Sequence, residues 1–225
     1  MSKATKILTC IFIVLTLIVA VVYSETGGLK LKAATSLCFV AAGFVNLLHA
    51  YKSVASKRRF ALLMFCGLFF SFIGDIVINL TFVYGACIFA LGHIFYVSAF
   101  INRSRFVAKD LLPACLLFAL ACGIIFLYPD LELDFLMLAV CLIYAAIISL
   151  MAGKAVSNAF TVKSLTNFIF VAGVLLFFTS DAALLLLIFG NAGEIADTVC
   201  LYTYFPAQCL LAYGLHRVIS REAQS

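Results

Sequence analysis

The sequence predicts an all-α membrane protein of eight transmembrane helices, and three observations predict it. Apolar residues make up 66% of the chain and charged residues 11%, where a soluble domain carries about 25% charged. The apolar runs are roughly 17–22 residues long, enough to cross a ~30 Å hydrocarbon core as helix, and they lack the strict alternation of a membrane strand. Basic residues crowd into alternate connections, the pattern of a chain that crosses a bilayer repeatedly. With 225 residues almost wholly in such runs, residues 1–225 read as a single integral membrane domain, with no room for a soluble one beside it.

In order, the predicted spans are 7–23, 31–50, 60–79, 82–101, 111–128, 134–152, 165–189 and 197–216. Span 1 follows Lys3 and Lys6 in the manner of a signal peptide. Its apolar run is too long, and no small-x-small cleavage site follows, so it is kept as a span. Span 2 starts beside Lys30 and Lys32 and ends before Lys52. Span 3 carries Ser71 and Asp75, four residues apart on one helix face. Its Gly67 and Gly74, seven apart, also share a face and favour close approach of a neighbouring helix. Span 4 carries Gly85, Gly92, His93 and Tyr96, the last two on a common stripe. Span 5 is as featureless as span 1, and span 6 is bounded by Asp134 and Lys154. Span 7 holds Thr179, Ser180 and Asp181. Span 8 holds Tyr202, Thr203, Tyr204, Pro206 and Gln208, with Tyr204 and Gln208 four apart.

Charge sets the expected topology. One side carries Lys3, Lys6, Lys52, Lys57, Arg58, Arg59, Arg103, Arg105, Lys109, Lys154, Lys163, Arg217 and Arg221. The other carries only Lys30 and Lys32 among basic residues, with Glu25, Asp130, Glu132, Asp134, Glu194 and Asp197. This asymmetry predicts a multi-pass cell-membrane protein with cytoplasmic N- and C-termini. The net charge of +5 is therefore a topology signal and not a nucleic-acid footprint. The nine cysteines are scattered along the spans without CxxC pairs, so they read as small buried hydrophobes and no metal site is expected. His49 and His216 fall at cytoplasmic helix ends, where solvation is expected.

Two aspartates dominate what remains, in matching phrases: Leu68-Phe69-Phe70-Ser71-Phe72-Ile73-Gly74-Asp75 and Leu176-Phe177-Phe178-Thr179-Ser180-Asp181. An ionisable group at membrane depth costs a few kcal/mol or more and marks a functional site by default. Each has a bland alternative. Asp75, near Asn79 and Thr81, reads also as a solvated helix end; Asp181 is harder to dismiss, with apolar residues on both sides. His93 reads equally as an interhelical hydrogen-bonder, and Pro206 as a tolerated kink. Spans 3 and 7 are each third in a half, run the same way and bear an aspartate, and spans 4 and 8 follow with His/Tyr and Tyr/Gln. That arrangement suggests a 4+4 parallel repeat with a site at the repeat interface. No Lys or Arg is expected at membrane depth to neutralise either aspartate. Desolvation and mutual repulsion then favour a proton on one or both carboxyls. Such a pair suits acid catalysis, or equally a proton-coupled transporter or lipid translocator.

Several phrases together resemble the YhhN/TMEM86 family of multi-pass membrane proteins. They are Phe70 to Asp75; Gly85-x3-Phe89-x3-His93-x2-Tyr96-x3-Phe100; Tyr144 to Met151; Gly173-x3-Phe177-x2-Ser180-Asp181; and Tyr204-x2-Ala207-Gln208-x-Leu210-Leu211-x2-Gly214. Two positions depart from the family pattern: span 2 reads Leu31-Lys32-Ala33-Ala34-Thr35 in place of a Lys-Pro element, and Gly92 precedes His93 in place of Ser or Ala. Both bear on headgroup preference more than on chemistry. The resemblance implies lysoplasmalogenase activity, the hydrolysis of a vinyl-ether lysophospholipid to a fatty aldehyde and a glycerophospho-base. Vinyl ethers cleave by acid: a proton adds to the β-carbon, an oxocarbenium ion forms and water then adds, with no cofactor or metal required. Asp75 and Asp181 would be catalytic. Ser71, His93, Tyr96, Ser180, Tyr204 and Gln208 would orient water or substrate.

Overall fold

The computed structural model describes residues 2–222, and side chains over residues 3–220; Arg221 of the cytoplasmic basic set lies outside the described side chains. Eight helices follow one another: α1 (Ser2–Thr26), α2 (Leu29–Ser53), α3 (Arg58–Val77), α4 (Phe82–Arg103), α5 (Leu111–Leu127), α6 (Phe135–Thr161), α7 (Leu165–Phe189) and α8 (Gly193–Glu222). There is no strand among the described residues. Helix is what these runs dictate, since backbone polar groups in hydrocarbon must be satisfied within their own segment. The connections are short. Gly27 and Gly28, both at positive φ, turn the chain from α1 into α2 in two residues, a conformation that suits glycine. Side chains of Asp134 and Ser164 accept from the backbone amides of Met137 and Asn167 and cap α6 and α7.

Helices α1 to α7 are each long and apolar enough to cross a membrane. Helix α8 is long enough, at 30 residues, but Tyr202, Thr203, Tyr204, Pro206 and Gln208 dilute its hydropathy. It nonetheless lies antiparallel along α7 through the depth of the bundle. Gly214 faces Phe170, Gly173 faces Ala207, and Ser180 bonds to the Cys200 carbonyl. It packs against α1, α2 and α3, and its Tyr204 and Gln208 are buried within the protein while Tyr202 stays exposed. The expected boundaries lie within three residues of these helices except at the start of α1, five residues before the expected 7, at α8, four residues before the expected 197 and six past the expected 216, and at the end of α6, nine residues past the expected 152 at Thr161.

The α6 difference corrects a sequence expectation. Lys154 was assigned to a cytoplasmic loop, yet it is 1% exposed and pairs with the equally buried Asp110 at 2.7 Å, also donating to the Arg105 carbonyl. Ser157 donates to the same carboxylate, as does the Val107 amide. A second correction concerns His49 and His216, both 4% exposed and not solvated. His216 Nδ1 lies 2.9 Å from Asn46 Oδ1, and Asn46 Nδ2 donates to Thr9. The cause is shared: the end of the bundle that carries the termini is closed by side chains reaching between helices, so a polar residue there is not thereby wet.

The two halves repeat. Gly67 and Gly173 precede Asp75 and Asp181 by the same eight residues. A Cβ on Gly67 would come within 2.4 Å of the Tyr96 ring, and one on Gly173 within 3.3 Å of the Ala207 carbonyl. Tyr96 and Ala207 are themselves 111 residues apart, as are His93 and Tyr204. In α2 and α6 the offset is 108, relating Asn46, which ties α2 to α1 through Thr9, to Lys154, which ties α6 to the start of α5 through Asp110. The halves run in the same direction and pack face to face.

Candidate functional site

Asp75 lies two residues from the end of α3, one helical turn from Ser71, and is 2% exposed. Its Oδ2 accepts from Ser36 Oγ on α2 at 2.5 Å and from Tyr204 Oη on α8 at 2.7 Å. It is thus not a solvated helix end. Lys32 lies one turn before Ser36 on α2, its carbonyl also accepting from the Ser36 hydroxyl. The pairing of α2 with α3 thus brings the first turns of α2 beside Asp75.

Asp181 lies eight residues before the end of α7 and keeps 12% of its side chain exposed. Its Oδ2 accepts from Tyr144 Oη on α6 at 2.7 Å and stands 3.3 Å from His93 Nε2 on α4. The His93 and Tyr144 groups are themselves 2.8 Å apart. The correspondence with Asp75 is complete. Each aspartate sits on the third helix of its half, takes one partner from the second helix of the same half, and takes another from the fourth helix of the opposite half. Ser36 and Tyr144 share the 108-residue offset of α2 and α6.

Between the two carboxylates stands an aromatic cluster. Phe177 packs edge-on against His93 at 4.7 Å and against Tyr204 at 5.4 Å, and Phe89 packs edge-on against Tyr204 at 6.1 Å. Edge-to-face pairs at these separations are favourable beyond their buried area, and here they hold the two acidic groups apart within one core. The glycines explain how the rings fit. A Cβ on Gly74 would meet the Phe89 ring at 2.8 Å, so the α3–α4 approach relies on its absence.

The remaining expected residues divide. Tyr96 Oη donates to Gln208 Oε1 at 2.9 Å across the interface of the halves. Buried and without hydrogen-bond partners in the protein are Gln208 Nε2 and His93 Nδ1, donor-capable groups of the kind that seldom stay unsatisfied. Ser71 turns back to the Gly67 carbonyl and Ser180 to the Cys200 carbonyl, so neither touches an aspartate. Tyr204 and His93 do, as do two residues outside the expected set, Ser36 and Tyr144. Ser36 carries no sequence signal. Tyr144 stands in one of the family-like phrases, and its period along span 6 gives no hint of its partner.

One wall of this site is open. A cavity of about 70 Å3 lies among α3, α4, α5, α6 and α7, and its only charged or strongly polar lining groups are Asp181 and Tyr144. Asp75 does not line it. No curated protein and no solved structure matches the chain. A family model does match, over residues 29–215, and with it the chain belongs to the YhhN family.

Proposed function

We propose that this multi-pass membrane protein is a hydrolase of lysoplasmalogenase type, which cleaves the vinyl ether of a single-chain lysophospholipid by acid catalysis. The observation that carries the proposal is Asp181, a carboxyl held by a phenol and an imidazole on the wall of an otherwise apolar cavity. A group so placed meets hydrocarbon, and the bond in a lipid that acid alone opens next to hydrocarbon is the vinyl ether. Family membership supports the same class of activity.

The proposed step balances without a cofactor. A carboxyl proton moves to the β-carbon of the double bond, leaving a carboxylate and an oxocarbenium ion at the α-carbon. Water adds there and returns a proton to the carboxylate. The resulting hemiacetal collapses to a fatty aldehyde and the free hydroxyl of the glycerophospho-base, so one water is consumed. General acid catalysis of this kind is worth ~10²–10⁴-fold, and a nearby carboxylate stabilises the cation as in glycosidases. The substrate lies in the bilayer, and the excess of basic residues on one side supports cytoplasmic termini.

The test is aldehyde release by purified protein in detergent, with a 1-acyl lysophospholipid as the control without a vinyl ether. Asp75→Asn and Asp181→Asn each remove an ionisable group from membrane depth and should leave folding intact. Each should lower turnover by roughly 10²-fold or more, and the double variant should be little worse than either single, because residues acting as a unit are not additive. Full activity in a folded single variant would remove that aspartate from the mechanism. No aldehyde from the parent, together with aspartate-dependent flux across sealed vesicles, would establish a proton-coupled transporter instead.

A further inference from the structure

The repeat makes a specific demand that the structure does not meet. It relates α5 to α1 and α4 to α8. Helix α1 is seated on α8: the Tyr23 and Phe205 rings lie 6.2 Å apart edge-on, Ser24 Oγ is 3.3 Å from Tyr202 Oη, and Cys209 Sγ contacts the Ile13 carbonyl. Helix α5 packs on α6 and makes no comparable packing on α4 among the described residues. The cavity lies where that seating would be, with Ala86 and Phe89 of α4 on one side and Ala121 and Ile125 of α5 on the other.

We propose that the gap between α4 and α5 is a lateral portal for one hydrocarbon chain, which brings the reacting double bond to Asp181 and not to Asp75. This rests on the vinyl-ether reading above and names which carboxyl meets substrate and by what route. The lining selects the occupant. It presents no basic group to a phosphate and only Tyr144 and Asp181 to anything polar, so it recognises an alkyl or alkenyl chain and leaves the headgroup outside. Its size admits a few methylenes and not two chains, with the rest of the tail remaining in the bilayer. Alanines 86, 121, 145 and 182 keep the slot open, where larger side chains would fill it. Asp75, enclosed by α2, α3 and α8, has no such access. It is tied to Asp181 only through the packed rings of Tyr204, Phe177 and His93 and is a positioning residue.

The experiment uses a non-hydrolysable 1-alkyl lysophospholipid with a diazirine two carbons from the ether. The purified full-length protein is irradiated with this probe, with and without excess unlabelled alkyl lysolipid, and the adducts are mapped by mass spectrometry. Competable adducts are expected on Asp181, Tyr144 and the Ala121–Ile125 stretch, with none on Asp75. Ala121→Phe fills the slot and should lower these adducts and aldehyde release at least tenfold. Leu120→Phe adds bulk on the adjacent lipid-facing position, 55% exposed, and should change neither. Competable adducts on Asp75, or adducts spread over the outer faces of α1 and α2 with none in the cavity, would overturn the portal. Because parent labelling alone decides the point, an unstable Ala121→Phe does not block the test. Cavity labelling without aldehyde would retain the portal and reject the hydrolase; aldehyde release without cavity labelling would do the reverse.

Discussion

Tyr204 and Tyr144 each place a phenol 2.7 Å from one carboxylate oxygen, yet only Tyr144 also bonds the site histidine. A hydrogen bond to a charged group is worth about 1.5–3 kcal/mol, roughly ten- to a hundredfold in rate where it is felt at the transition state. Tyr144→Phe should therefore lower aldehyde release by that factor, since it unties both Asp181 and His93 at the cavity wall. Tyr204→Phe should give the smaller loss, because Ser36 still bonds Asp75 at 2.5 Å. Both variants keep their ring packing, so thermal melting in detergent should change little. Equal losses in the two would argue against distinct roles for the two carboxyls.

At the scale of helices, the bundle is set by where backbones approach and where charges are buried. A Cβ on Gly153 would fall 2.5 Å from the Ala114 backbone nitrogen, so α5 and α6 touch with no side chain between them, beside the Asp110–Lys154 pair. Breaking a buried pair by removing one partner costs about 3–5 kcal/mol, whereas replacing both is often near neutral. Asp110→Leu alone, which strands Lys154, should lower the melting temperature markedly. Asp110→Leu combined with Lys154→Met should recover much of the loss, as a double-mutant cycle by thermal melting would reveal. Since neither residue lines the cavity, the double variant should keep its chain-dependent turnover.

For the whole molecule, the repeat and its crossed partners matter most. Neither half contains a complete aspartate set: Asp75 needs Tyr204, and Asp181 needs His93. Chains ending and beginning in the 104–107 connection should each be inactive when expressed alone. Co-expressed, they should restore aldehyde release, because the α7–α8 and α3–α4 pairs stay intact within the halves. Activity in an isolated half would contradict the crossed arrangement. Topology is tested separately. A reporter active only in the cytoplasm should be bright when fused after Ser225 and dark when inserted near Asp130, and a bright signal at Asp130 would reverse the orientation.

The membrane class, eight helices to within a few residues at most ends, the likeness to the YhhN family and the two aspartates inside apolar runs can all be read from residue order. These are legible because the length of an apolar run is a local property, and because a carboxyl inside one stands out against its neighbours. The partners emerge only when the helices pack. Ser36 and Tyr144 bind the aspartates, Ser71 and Ser180 bind backbone carbonyls, and Lys154, His49 and His216 are buried. Each of these depends on which helices are neighbours and how each is rotated about its axis. Hydropathy carries almost no such information, since lipid-facing and protein-facing positions in a bilayer are both apolar. The open place between α4 and α5 belongs to the same class: it is a difference between two near-equivalent packings, visible only once both halves are folded against each other.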